Sequence, residues 1–139
     1  MKRLVVSVAA LAVLGIAAPA GASSHPKTWC SSTGDVCAST KKEHGVVVLR
    51  ITLAAKYFNT YRLCVRAPNK SRVCKRFKIH RSGSEWGDRE VWRKHFPNKG
   101  PGEYTVVWRN GGHRVTHRLG FRIRSHPAPA GQPSRHAAA

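Results

Sequence analysis

Apolar and polar positions alternate with a period of two along most of the chain, the pattern of strands buried on one face. Val47, Leu49, Ile51 and Leu53 alternate with Val48, Arg50 and Thr52, and Tyr61, Leu63 and Val65 with Arg62, Cys64 and Arg66. Val73, Phe77 and Ile79 alternate with Cys74, Arg76, Lys78 and His80, with Lys75 interrupting the apolar side. Tyr104, Val106 and Trp108 alternate with Thr105, Val107 and Arg109. A last run sets Val115, Leu119, Phe121 and Ile123 against Arg114, Thr116, Arg118, Arg122 and Arg124. Residues 90–96 read as a weaker strand, a pattern that one or two helical turns also satisfy, and a short strand lies around Val36. Turn chemistry separates these runs: Ala67-Pro68-Asn69-Lys70-Ser71, Asn110-Gly111-Gly112 and the longer corner Pro97-Asn98-Lys99-Gly100-Pro101-Gly102. Seven short strands with little helix predict an all-β fold, an antiparallel β-sandwich over residues 28–124.

The two ends of the chain read differently. Lys2 and Arg3 precede an apolar run over residues 4–18, too short for the roughly 20 residues of a membrane span but right for a signal-peptide core. Ala20-Gly21-Ala22 fits the small-residue cleavage rule, so residues 1–22 are predicted to be a signal peptide, with cleavage after Ser24 as the alternative. Residues 23–27 form an N-terminal segment. Residues 125–139, rich in Pro and Ala and without a large apolar side chain, predict a disordered tail. The mature chain has no predicted transmembrane span.

Charge and cysteine change the picture next. The chain carries 25 Lys and Arg against 6 Asp and Glu, a net charge of +19. Export would remove Lys2 and Arg3 and leave +17 (23 bases against 6 acids). A secreted or extracytoplasmic protein of this charge points to an anionic partner outside the cell and away from intracellular nucleic acid. Four cysteines in that compartment suggest two disulfides. If the 67–71 turn is central, residues whose numbers sum to 138 face each other: Cys64 opposite Cys74, Arg62 opposite Arg76 and Val65 opposite Val73. Directly opposed strand positions lie close enough for a bridge, which leaves Cys30 to pair with Cys37 across a short loop. The spacings of the cysteines fit a four-Cys zinc site poorly.

Two resemblances follow from the motifs. Trp29-Cys30, Gly34-Asp35-Val36-Cys37, Tyr61-Arg62-Leu63-Cys64-Val65, Cys74-Lys75-Arg76-Phe77, Phe96-Pro97 and Gly100-Pro101-Gly102-Glu103-Tyr104 resemble a family of small secreted β-sandwich proteins of high-GC Gram-positive bacteria. That resemblance, over residues 29–124, implies a fold and a compartment and carries no mechanism. Pro101-Gly102-Glu103-Tyr104 followed by Val106 and Trp108 is similar to the penultimate strand of immunoglobulin-like sandwiches, with its corner tyrosine. Within that group, residues 102–123 are similar to the last hairpin of the immunoglobulin-like periplasmic copper-carrier family, through Gly112-His113 and Phe121-Arg122-Ile123. Where those carriers have Asp before Gly-His, this chain has Gly111.

The candidate sites are few. Arg62, Arg66, Arg76 and Lys78 are expected on the outer face of the disulfide hairpin, and Arg114, Arg118, Arg122 and Arg124 on one side of the final strand. Arg62 opposed to Arg76 is a destabilising like-charge pair, which suggests a face that receives an anion; a solvated surface that keeps the protein soluble is the bland alternative. Cleavage after Ala22 would start the mature chain Ser23-Ser24-His25, whose amine, amides and imidazole suit copper or nickel. Cleavage after Ser24 would let His25 supply amine and imidazole, with His113 completing a copper site as in the resembled carriers. His44, His80, His95 and His117 read as surface residues. Trp92, Trp108 and Tyr104 read as core, while Trp86 in a small-residue loop reads either as a plug for the end of the sandwich or as a platform for stacking on a sugar. The acids Asp35, Glu43, Glu85, Asp88, Glu90 and Glu103 form no recognisable acid/base pair, and no nucleophile or metalloprotease motif is present.

The expectation is therefore a secreted, non-enzymatic binding or structural module without a cofactor, engaging an anionic envelope or extracellular polymer through basic strand faces. A copper-binding extracytoplasmic carrier and a protein-binding or inhibitor module are the alternatives.

Overall fold

Leu49, Ile51 and Leu53 from one sheet meet Leu63, Val106 and Trp108 from another, each at most 1% exposed, in a single apolar core. Fully burying side chains of this kind contributes about 1.5–3 kcal/mol each, the main favourable force here. The computed structural model describes residues 23–125; the predicted signal peptide, and all of the predicted tail but Ser125, lie outside them.

In chain order the elements are β1 (Thr28–Cys30), β2 (Val36–Glu43), β3 (Val46–Leu53), β4 (Thr60–Arg66), β5 (Arg72–Lys78), β6 (His80–Ser82) and β7 (Glu85–Val91). They are followed by α1 (Trp92–His95), β8 (Gly102–Asn110), β9 (His113–Arg114) and β10 (Leu119–Ile123). One sheet has the order β1-β2-β3-β7-β6 and the other β10-β8-β4-β5, with β9 also paired to β8. Every pairing between them is antiparallel. The fold is all-β and sandwich-like, as the alternation predicts.

The β4–β5 hairpin has the predicted register, with Cys64 opposite Cys74 and Arg62 opposite Arg76. Both disulfides, Cys64–Cys74 and Cys30–Cys37, are formed, and the second also joins directly opposed residues of β1 and β2. Two bridges are consistent with an extracytoplasmic protein. Among the described residues no helix is long and apolar enough to cross a membrane. The Asn110–His113 turn places Gly111 at φ +54° and Gly112 at φ +86°, the paired left-handed conformation that a two-residue hairpin requires.

Three segments depart from simple alternation. The strand expected over residues 90–96 ends at Val91 and becomes the helical turn α1. A strand would turn Trp92 and Phe96 to a face shared with the polar Lys94, whereas a helical turn brings residues four apart onto the core side. Both are buried, and Trp92 meets Tyr104 and Phe121 edge-on at 4.9 and 5.1 Å. The run through residues 73–80 is cut at Ile79, which is buried and donates its N–H to the Asn59 carbonyl (2.9 Å) as the chain crosses from one sheet to the other.

The final strand is also divided. Residues paired across β8 and β9 sum to 223 (Arg109 with Arg114), while those paired across β8 and β10 sum to 225 (Val106 with Leu119). Two extra residues are therefore inserted between β9 and β10. Thr116 absorbs them: its buried Oγ1 accepts the Trp108 N–H (3.4 Å) and donates to the His117 carbonyl (2.8 Å). Thr116→Val keeps the shape but strands a buried donor, and is expected to cost roughly 1–3 kcal/mol. Denaturant midpoints of Thr116→Val and Thr116→Ser measure this, with the serine variant, which keeps the hydroxyl, avoiding most of the loss.

Candidate anion-binding face

The outward side of the β10-β8-β4-β5 sheet is set by the residues that alternate with its buried ones. Arg62 lies opposite Arg76 on one side and opposite Arg109 on the other, and Arg109 lies opposite Arg114. Four arginines thus form one row across β5, β4, β8 and β9, at neighbouring-strand spacings of about 4.8 Å, or roughly 14 Å in all. Two residues further along each strand, Cys74, Cys64 and Val107 make a neutral row, with the disulfide at its centre. Beyond it, Arg72, Arg66 and Thr105 form the next row.

Two open cavities mark this face. One of about 320 Å³ is bordered by Arg62, Arg76, Arg109 and the Gly111–Gly112 turn. A second, of about 260 Å³, has Arg66, Lys70, Arg72, Arg109, Arg114 and Arg118 around Cys64 and Val107. Arg109 is tied by its guanidinium to the Gly112 carbonyl, and Arg72 reaches Cys64 Sγ at 3.5 Å. Among the described residues, the ion pairs lie elsewhere. Glu43 pairs with Arg89 (2.8 Å) and Arg50 (3.7 Å) on the opposite sheet, and Glu90 with His95 (2.6 Å) near α1. The hydrogen bond from Arg89, helped by the Arg50 charge, holds the Glu43 carboxyl below its usual value.

The predicted basic residues divide accordingly. Arg62, Arg66 and Arg76 gather on this face, all exposed, with Lys78 at its margin opposite Thr60. Arg114 joins the row and Arg118 the second cavity, while the run expected as one final strand is divided into β9 and β10. Arg122 is opposite Glu103 and borders a different cavity with Arg124. Arg109, Lys70 and Arg72 were not singled out by sequence. Arg109 lies between Arg62 and Arg114 only because β8 pairs with β4 across more than forty residues of chain, which local periodicity does not reveal.

The other candidates are dispersed. His25 lies beside Glu103 and His113 beside Asn110, seven residues apart on β8 or about 23 Å along a strand, so the two are not brought together. Among the described residues no three His, Cys, Asp or Glu side chains are grouped to hold a metal. Trp86 is in strand β7 and not in a loop, half-buried, with the Lys56 ammonium 4.9 Å from its ring centre. His117 stacks on Trp29 at 5.5 Å. Tyr61 donates to Asp88 (2.8 Å), and burial together with that carboxylate drives its phenol well above the usual value. Burial and Asp88 also push Glu90 up, against the pull of His95.

Glu103 anchors the N-terminal segment. Its carboxylate accepts the Ser23 hydroxyl (2.5 Å), the Ser24 hydroxyl (2.7 Å) and the His25 amide (3.2 Å). Gly120 makes room for this: a Cβ there would meet Ser23 Oγ at 2.5 Å and His25 Cβ at 2.9 Å. Burial raises the Glu103 carboxyl, but the three hydrogen bonds and the nearby His25 outweigh it and leave it below the ordinary value.

Compared with known proteins, the chain matches no family model, no curated protein and no solved structure.

Two expectations follow from this geometry. Replacing Arg62 by Thr removes one charge and with it two directly opposed like-charge pairs, and is expected to stabilise the protein by about 0.2–1 kcal/mol, read from its denaturation midpoint. The Glu103 anchor stabilises the fold above the ordinary carboxyl value of 4.5 and is lost as pH falls through the carboxyl's own lower value. Hydrogen exchange at the His25 amide, corrected for its intrinsic rate, is expected to accelerate in that acid range, and Glu103→Gln to abolish the pH dependence.

Proposed function

We propose that the protein is an exported, non-enzymatic binding module that holds an anionic polymer of the cell envelope or extracellular medium on the outer face of the β10-β8-β4-β5 sheet. The observation that carries this reading is the in-register row Arg76–Arg62–Arg109–Arg114, with no carboxylate paired to it among the described residues. Opposed like charges destabilise a sheet, and a bound anion reverses that sign. Guanidinium groups suit phosphate, sulfate or carboxylate oxygens because they present paired donors in a plane. Regular spacing along and across the strands favours a polymer with repeating charge over a single small anion.

The same reading takes residues 1–22 as a cleaved signal peptide and the fold as immunoglobulin-like. Supporting the fold are the strand orders β1/β2-β3-β7-β6 and β9/β10-β8-β4-β5, which correspond to the two sheets of that topology. The Tyr104 hydroxyl adds a corner tyrosine: it accepts the Lys99 N–H (2.9 Å) and donates to the Gly100 carbonyl (2.8 Å). The two disulfides support an extracytoplasmic compartment.

Retention of the secreted protein on a polyphosphate-bearing matrix, measured against salt, tests the reading. Each phosphate contact contributes roughly 0.7–0.9 to the slope of log affinity against log salt. Arg62→Ala with Arg109→Ala is expected to lower that slope by about 1.5. Lys41→Ala with Arg50→Ala, an equal loss of charge on the other sheet, is expected to lower it much less. Equal effects of the two pairs would reduce the row to bulk charge and sink the proposal.

A further inference from the structure

The two sheets are joined at one edge by Thr40, whose buried Oγ1 donates to the Gly120 carbonyl (2.7 Å). Strand β1 covers β2 only over residues 37–39, so past this joint β2 and β10 face each other without a strand between them. There a cavity of about 900 Å³ opens between the sheets. That volume is at the upper end of the range for small-molecule sites.

Its lining has two characters. Val47, Trp92, Phe121 and Ile123 form an apolar floor, with Val46 at its edge. Val46 is 39% exposed, one of two large apolar residues exposed among those described. Lys27, Lys42, Arg93 and Arg124 form a cationic rim, and no acid borders the cavity. Lys42 is the telling member. It shares a face of β2 with Ala38 and Thr40, both buried, and therefore lies on the inward side at the mouth of the gap, where it is exposed. Its exposed ammonium has no carboxylate within ion-pair distance among the described residues and is open to an anion at the cavity mouth. Trp92 adds a buried indole N–H that has no hydrogen-bond partner among the described residues.

We propose that this cavity binds a single-chain anionic amphiphile, a fatty acid or a lysophospholipid with an acidic headgroup. The acyl chain lies on the apolar floor, and the headgroup is held by Lys42 with Lys27, Arg93 and Arg124. This site is separate from the arginine row and stands whether or not that row binds a polymer.

Titration of the full secreted protein with palmitate, lysophosphatidate, hexadecanol and lysophosphatidylcholine, followed by tryptophan fluorescence and calorimetry, tests it. One equivalent of palmitate or lysophosphatidate is expected to bind at least tenfold more tightly than the uncharged or zwitterionic ligand, and the tighter of the two acids identifies the headgroup. Lys42→Glu with Arg124→Glu is expected to weaken the acids at least tenfold while leaving hexadecanol unchanged. Ile123→Glu, at a half-buried position of the floor near the end of β10, is expected to weaken all four. Arg62→Ala with Arg109→Ala is expected to change none. Absence of saturable binding, equal affinity for palmitate and hexadecanol, or indifference to Ile123→Glu would overturn the proposal. So would acid binding that appears only after removal of residues 126–139, which would mean that the chain's own end fills the cavity.

Discussion

Register couples the core of the β10-β8-β4-β5 sheet to its charged surface. Each inward residue that packs against the other sheet places its neighbours outward, so the pairing of Leu63 with Trp108 in the core also pairs Arg62 with Arg109 outside. A one-residue slip that separated the guanidinium groups would expose Tyr104, Val106 and Trp108. The Cys64–Cys74 bridge adds a covalent constraint to the same register from the outer face. Burial of large side chains, at kilocalories each, outweighs repulsion between exposed like charges, at fractions of a kilocalorie, and the row persists for that reason.

The acids are distributed so that few are left to neutralise that row. Glu43 is shared by Arg50 and Arg89, Glu90 is bound to His95, Asp88 accepts the Tyr61 hydroxyl, and Glu103 is occupied by Ser23, Ser24 and His25. The two sheets consequently differ in character. One carries paired charge, with modest fields that local partners already satisfy. The other concentrates basic groups around a neutral disulfide, which makes its potential a property of the face as a whole.

Much of this was legible in the sequence, and the remainder was hidden for physical reasons. The β4–β5 register and both disulfides follow from the local symmetry of a short turn, because neighbours in the hairpin are neighbours in the chain. The fold class follows from the period of two. The helical turn at Trp92 was ambiguous because Trp92 and Phe96, four residues apart, satisfy both periods. The sheet change at Ile79 left no trace, since alternation runs through it unbroken. Arg109 was missed because β8 reaches β4 through a long-range pairing, and the mixed cavity because its floor and rim come from four separated segments.

The two residues inserted around Thr116 set the breadth of the arginine row. Had β9 kept the register of β10, the position opposite Arg109 would fall to Thr116, and Arg114 would sit beyond the end of the strand, level with the Gly111–Gly112 turn. The insertion slides the chain back by one full pleat repeat, so side chains keep their faces while a different residue comes abreast of Arg109. A row of three guanidinium groups becomes a row of four without any change in composition. Here the length of a connection acts as a vernier on surface charge, and proteins with the same strands but a different spacing before β10 would present a narrower row of guanidinium groups.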